Sequence, residues 1–268
     1  MEYITLYNGI KMPLLGLGTW DLRGQECIDT VCCAIKNGYK LIDTAQMYEN
    51  EREVGEGILK SRISRDKLFV TTKIYGNNSY QKTKEAIEKS LKNLKTNYID
   101  LLLLYEPYLQ EKDMYKALEE AYNEGKVKAI GISNYDEKRL TRFIKQCHVI
   151  PAINQIECHV YYQKHRFQKI LDDHHIKMQA WAPLAQAKIN ISQESILLEI
   201  ANKYKKTPSQ IALRFLVQRG ISVIPKSKRE ERLVENINIF DFSLTNDEME
   251  KIKKIDRNET LFSWTKCF

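Results

Sequence analysis

The stretch YIDLLLLYEPY, residues 98–108, holds four consecutive leucines behind Asp100 and then breaks on Tyr105, Glu106 and Pro107. A run that is apolar at every position suits a strand covered on both faces, as in a parallel sheet flanked by helices. The run ends on a polar, a charged and a strand-breaking residue in turn, so its C-terminal end delivers something other than packing.

Runs of the same kind recur: LLGLGT (14–19), KLIDTA (40–45), LFVTTKI (68–74), VKAIGISN (127–134), AINQIEC (152–158), KMQAWAPL (177–184) and ISVIPKS (221–227). Helix-period segments lie between them, among them QECIDTVCCAIKNG, NEREVGEGILKSR, YQKTKEAIEKSLKNL and KDMYKALEEAYNEG. The count is eight strand–helix units with no Pro/Gly/Ser-rich linker, so one domain spanning 1–268 is expected. Eight parallel strands, each followed by a helix, predict an α/β protein closed into a (β/α)8 TIM barrel. An open doubly wound sheet competes. For dinucleotides, however, it carries a GxGxxG turn after its first strand, and GLGT lacks that spacing.

Composition narrows the function classes. With 43% hydrophobic and 29% charged residues the chain reads as an ordinary globular protein. No apolar run reaches the length of a membrane helix, and MEYITLYNGIKM lacks a signal-peptide layout. Six cysteines without CxxC and five histidines without HExxH suggest neither a zinc site nor a disulfide framework. The net charge of +7 is spread over surface-helix patterns among 35 acids, which argues against a nucleic-acid partner. A reduced, cytoplasmic, metal-free monomer acting on a small molecule is expected.

In a barrel the chemistry sits at the C-terminal ends of the strands. Those ends carry Thr19 and Trp20, Asp43, Lys73, Tyr105 and Glu106, Ser133 and Asn134, Gln155, Trp181, and Lys226 and Ser227. Each alone reads as a cap or turn residue; converging on one rim, they read as an active site. Asp43 ends the second strand, Tyr48 lies in the loop after it, and Lys73 closes the neighbouring third strand. A lysine beside a phenol lowers its pKa and a carboxylate holds the lysine, so Tyr48 is a candidate proton donor to a developing alkoxide. An Asp–Lys salt bridge with Tyr48 packed over it fits the same residues. GxSxG, Cys–His and P-loop patterns are absent, so the reactive group would come from a cofactor.

The motifs GLGTW (16–20), IDTAQMYENE (42–51), TTKI (71–74), GISNY (131–135), NQIECH (154–159), AWAPL (180–184) and IPKSKREERLVEN (224–236) resemble those of the aldo-keto reductases, in the same order. The resemblance is greatest to the small bacterial reductases of 2,5-diketogluconate and methylglyoxal type. It implies a barrel whose bottom is plugged by an N-terminal hairpin, here TLYNGIKMPLLG with Asn8–Gly9 as its turn. It implies NADPH as cofactor and a small carbonyl compound as substrate. Asp43, Tyr48 and Lys73 match three of the family's four catalytic residues, with Tyr48 the general acid. Ser133, Asn134 and Gln155 match the residues that bind the nicotinamide carboxamide, and Trp181 the aromatic on which that ring stacks. Lys226, Ser227 and Arg232 match the grip on the 2′-phosphate, with Glu235 and Asn236 on the adenine side. Thr19, Asp43, Pro183 and Leu184 complete the implied cofactor set.

One position departs from the pattern. The family's fourth catalytic residue is a histidine that orients the substrate carbonyl, and here Tyr105 stands in its place, followed by Glu106. Three readings stay open: Tyr105 donates in its stead, Glu106 retunes the site for a cationic or hydroxylated substrate, or turnover is lost and an NADPH-binding sensor remains. Trp20, Tyr48, Tyr105 and Glu106 form the implied substrate wall. Phe262 and Trp264, in the C-terminal LFSWTKCF, either line that pocket or cap the barrel's outside.

Overall fold

A computed structural model describes residues 1–264; the last four residues of LFSWTKCF lie outside the described residues. Two strands, β1 (Tyr3–Thr5) and β2 (Lys11–Pro13), form an antiparallel hairpin with Ile4 opposite Met12. Its turn uses Asn8–Gly9 as expected: Gly9 takes φ +84°, the left-handed region that costs glycine little, and its N–H donates to the Leu6 carbonyl at 2.9 Å.

The remaining strands form one parallel sheet in chain order: β3 (Leu17–Gly18), β4 (Leu41–Asp43), β5 (Phe69–Ile74), β6 (Leu101–Leu104), β7 (Ile130–Ser133), β8 (Ile153–Glu157), β9 (Lys177–Trp181) and β10 (Ser222–Val223). The sheet closes on itself. Leu15 pairs in parallel with Val223, the Gly16 N–H donates to the Val223 carbonyl at 2.9 Å, and the Val223 N–H donates to the Leu14 carbonyl at 2.9 Å. At that seam a Cβ on Gly18 would stand 2.7 Å from the Ile224 carbonyl oxygen, so only glycine lets the two segments approach.

Helices follow the strands: α1 (Gly24–Lys36), α2 (Glu51–Ser61), α3 (Tyr80–Asn93), α4 (Glu111–Asn123), α5 (Glu137–Phe143) and α6 (His165–Asp173). After β9 come α7 (Ser195–Tyr204) and α8 (Pro208–Gln218), and after β10 come α9 (Glu230–Ile237) and α10 (Asn246–Lys253). The last of these was not anticipated from periodicity, although its capping box, Thr245 with Glu248, is an N-terminal signal.

The four leucines of β6 divide between two cores. Leu101 and Leu103 join Leu6 and Met12 of the hairpin, Leu41, Phe69 and Ile153 inside the barrel. Leu102 and Leu104 face the helices in the larger outer core. Alternation along a strand explains this, and it carries inward-facing parity up to Tyr105 at the mouth. The same parity turns Asp43, Lys73, Ser133, Gln155, Gln179 and Trp181 inward. The lower barrel is filled with apolar side chains and plugged by the hairpin; the upper barrel is lined with polar ones.

Candidate active site

Lys73 is the hub, buried to 1% exposure at the end of β5. Its ammonium donates to Asp43 Oδ1 at 2.5 Å and to the Thr44 carbonyl at 2.9 Å, and it stands 3.4 Å from the Tyr48 hydroxyl. Tyr48 ends a single 3-10 turn, Gln46–Tyr48, and Glu49 then takes a left-handed φ of 53°. That loop is pinned by Asn50, which is fully buried. Its Oδ1 accepts from the Thr44 hydroxyl at 2.6 Å and its amide donates to the Thr19 and Leu22 carbonyls at 2.8 and 3.0 Å. From sequence Asn50 marks only the start of the following helix, and its role in the site was not singled out.

The electrostatics differ from the expectation for Tyr48. Burial, and then the Asp43 carboxylate, push the Tyr48 phenol well above its ordinary value of 10. Lys73 stands between the two groups, in contact with the Asp43 carboxylate and 3.4 Å from the phenol, so Tyr48 has both a cation and an anion beside it. Burial also raises the Asp43 carboxyl against the opposing pull of Lys73 and Gln155. Tyr48 therefore rests as a neutral phenol, the state a proton donor requires, with a cation close enough to receive the charge of its conjugate base.

Tyr105 meets Tyr48 edge to face at 6.2 Å between ring centroids and meets Tyr75 in the same way at 5.3 Å. Its N–H donates to the Ile74 carbonyl at 3.0 Å and its carbonyl accepts from Asn134 Nδ2 at 3.2 Å, which fixes the backbone. No side-chain hydrogen bond holds its hydroxyl among the described residues. Burial raises its pKa, with Tyr48 adding to the effect and Lys73 opposing, so this phenol too is neutral. Glu106 follows, its carboxyl raised by burial while the Tyr108 hydroxyl pulls the other way. Trp20 and Tyr75 are each 45% exposed at the mouth, and Tyr75 is a wall residue the sequence reading did not single out.

The facing arc carries the other predicted residues. Ser133 donates to the Gln155 carbonyl at 2.8 Å. Gln155 Nε2 donates both to Asp43 Oδ2 and to Gln179 Oε1 at 2.7 Å each, so its amide oxygen is the atom left to meet a ligand. Asn134, in a left-handed conformation at φ 63°, also accepts from the Trp181 indole N–H at 2.9 Å, tying that ring to the loop after β7. Thr19 donates to the Asp43 carbonyl at 2.9 Å. Pro183 is buried and Leu184 half-buried, in the loop after Trp181.

Of the aromatic pair in the tail, Phe262 meets Trp181 edge to face at 5.0 Å and Trp264 stacks on it at 5.4 Å with 14° between planes. Both turn to the barrel mouth. The segment is moored by Glu157, which accepts from the Leu261 N–H at 2.9 Å and from the Thr260 hydroxyl. Glu157 closes β8 and Gln179 sits inside β9, both buried polar residues on barrel strands, a signal that could have found them.

Around α9 the residues divide. Lys226 and Arg232 are exposed, with no carboxylate partner among the described residues, and the helix N-cap, Arg229, makes no side-chain cap. Ser227 folds back to accept from the Arg229 N–H at 3.1 Å. Glu235 accepts from the Thr207 hydroxyl at 2.6 Å and so serves the α8–α9 packing, while Asn236 is buried. No group of three His, Cys, Asp or Glu among the described residues could hold a metal, and no described helix is long and apolar enough to cross a membrane.

Known proteins resemble this chain in sequence and fold. Residues 14–257 match the model of the aldo/keto reductase family. The chain is 40% identical to the 9,11-endoperoxide prostaglandin H2 reductase of Trypanosoma cruzi, covering 96% of this chain and 93% of that protein. It is 39% identical to the glyoxal reductase of Bacillus subtilis, over 96% of this chain and 94% of the other. Among solved structures, an aldo-keto reductase enzyme from a Medee basin deep-sea metagenome library superposes with a TM-score of 0.95 at 39% identity, covering 97% of both chains. A closed barrel with a hairpin plug, a buried Asp–Lys–Tyr cluster at its mouth and family motifs running its length place this chain in the aldo/keto reductase family.

Proposed function

We propose that the protein reduces a small aldehyde or ketone to the alcohol with NADPH, Tyr48 acting as general acid. The observation that carries this reading is the buried Asp43–Lys73–Tyr48 cluster, with the Lys73 ammonium 3.4 Å from the phenol. Two relatives whose names describe reductases support the reaction class.

The residues present fit the cofactor. The Gln155 amide oxygen, with both its N–H groups already committed, suits the N–H of a carboxamide. Ser133, donating to a carbonyl, has its own oxygen to accept with. Lys226 and Arg232, without a carboxylate partner among the described residues and flanking a helix start that lacks a side-chain cap, suit a phosphate. When bound, the nicotinamide supplies the hydride. The protein's part is to hold the substrate carbonyl oxygen between two neutral phenols. Tyr48 gives up its proton as negative charge develops on that oxygen, and Lys73 stabilises the phenolate left behind. Tyr105 contributes a second hydrogen bond from the position where the family has histidine. The aromatic wall of Trp20, Tyr75 and Tyr105 restricts the site to small or flat carbonyl compounds, and the partly buried Glu106 favours substrates bearing hydroxyl groups.

The test is NADPH consumption against a panel of small aldehydes, ketoses and dicarbonyls. Turnover of at least one, abolished by Tyr48→Phe, is expected. Tight NADPH binding with no turnover of any member would favour a cofactor-binding sensor barrel instead.

A further inference from the structure

A chain of buried hydrogen bonds runs down the barrel interior from the catalytic cluster to the hairpin plug. Gln155 Nε2 donates to Gln179 Oε1 at 2.7 Å, Gln179 Nε2 to Ser222 Oγ at 3.3 Å, and Ser222 Oγ to the Pro13 carbonyl at 3.0 Å. Gln155, Gln179 and Ser222 are each no more than 1% exposed. Direction along the chain is forced from below. A backbone carbonyl can only accept, so the single hydroxyl proton of Ser222 goes to Pro13 and its oxygen must accept from the Gln179 amide. Gln179 is thereby turned with its own oxygen upward, and it can only accept from Gln155. With its other N–H on the Asp43 carboxylate, Gln155 has no proton left for a ligand.

From this we infer that Gln179 is a positioning residue: anchored through Ser222 to the barrel floor, it makes Gln155 present an amide oxygen, rather than an N–H, to the nicotinamide carboxamide. The inference rests on the NADPH reading above. Without Gln179 the second Gln155 N–H is a buried donor without a partner, and turning the amide toward the cofactor relieves it.

The test is a ratio of affinities, read by tryptophan fluorescence quenching, for NADP+ and for its acetylpyridine analogue, in which a methyl group replaces the carboxamide NH2. Wild-type protein should bind the analogue about tenfold more weakly, because the Gln155 oxygen then faces no donor. Gln179→Leu should bring the ratio to within about twofold of unity, since a freed N–H can donate to the carbonyl of either ligand. Gln179→Glu keeps an acceptor toward Gln155 in either protonation state and should keep the wild-type ratio. The inference is overturned if Gln179→Leu retains the full ratio, or if Gln179→Glu loses it as completely while melting normally. Should Gln179→Leu fail to fold, Ser222→Ala gives the same reading: a ratio falling toward unity supports the relay and an unchanged ratio overturns it. Wild-type protein that binds NADP+ without discriminating the analogue overturns this inference alone, whereas wild-type protein that binds neither overturns the cofactor reading as well.

Discussion

Replacing Tyr105 by phenylalanine removes one hydroxyl and leaves the ring. The edge-to-face contacts with Tyr48 and Tyr75, at 6.2 and 5.3 Å, survive, as do both backbone hydrogen bonds of the residue. The hydroxyl has no side-chain hydrogen bond among the described residues, so its loss strands no buried partner, and the melting temperature should move by no more than a degree or two, an effect on the order of 0.5 kcal/mol. Any larger change must therefore come from the reaction. Loss of one donor to a developing oxyanion costs about a hundred- to a thousandfold when the donor is fully enclosed. Tyr105 is half-buried and, in the proposed mechanism, is the second donor rather than the proton source, so a loss of about tenfold to a hundredfold in kcat is expected, or roughly 1.4–2.7 kcal/mol of barrier. NADPH affinity should be unchanged, because the residues proposed to hold the nicotinamide, Ser133, Gln155 and Trp181, lie on β7 to β9. The assay is steady-state NADPH oxidation with the best substrate, alongside a thermal melt. An unchanged kcat would refute the reasoning and leave the phenol as space-filling; a raised KM at constant kcat would assign it to substrate binding alone. Tyr105→His should hold or raise the turnover of simple aldehydes.

Tyr48→Phe should lower kcat a hundredfold or more while NADPH affinity stays within about twofold, and a variant with near-normal turnover would remove Tyr48 from the mechanism. Arg232→Ala should weaken NADPH by about tenfold to a hundredfold and barely affect NADH, given the usual strength of a charge-assisted phosphate contact; equal losses would place the contact elsewhere. His165 gives a pH effect on stability. Burial, then Arg219 and Lys253, lower its imidazole to about 4, so as the pH falls below the ordinary value of about 6.5 the unfolded chain takes up the proton first. The stabilising contribution is complete above about pH 6.5 and is lost progressively toward pH 4, amounting to about 1 kcal/mol once solvent screening is allowed for. Melting curves of wild type and His165→Gln across that window should converge as the pH falls, and parallel curves would rule out His165 as the titrating group.

Much of this molecule is legible in one dimension. The eight barrel strands lie within the eight apolar runs, the hairpin turns at Asn8–Gly9, and the loop after β4 delivers Tyr48, because each feature rests on local pattern and backbone preference. The presence of Asp43, Tyr48 and Lys73 was readable too, since strand ends and family motifs mark them without reference to distant contacts. What those residues do to one another was not. Gln155 reaches Asp43 across 112 residues of sequence and Ser222 reaches Pro13 across 209, so the relay exists only once the sheet has closed. That Glu235 takes the Thr207 hydroxyl appears only once α8 is brought against it, and Phe262 and Trp264 had two possible homes until Glu157 moored the tail beside Trp181. The Tyr48 phenol shows the reason most clearly. Pattern places a lysine beside it, but the direction of its pKa depends on how completely water is excluded and how near the Asp43 carboxylate stands, and both are set by three-dimensional packing rather than by order along the chain.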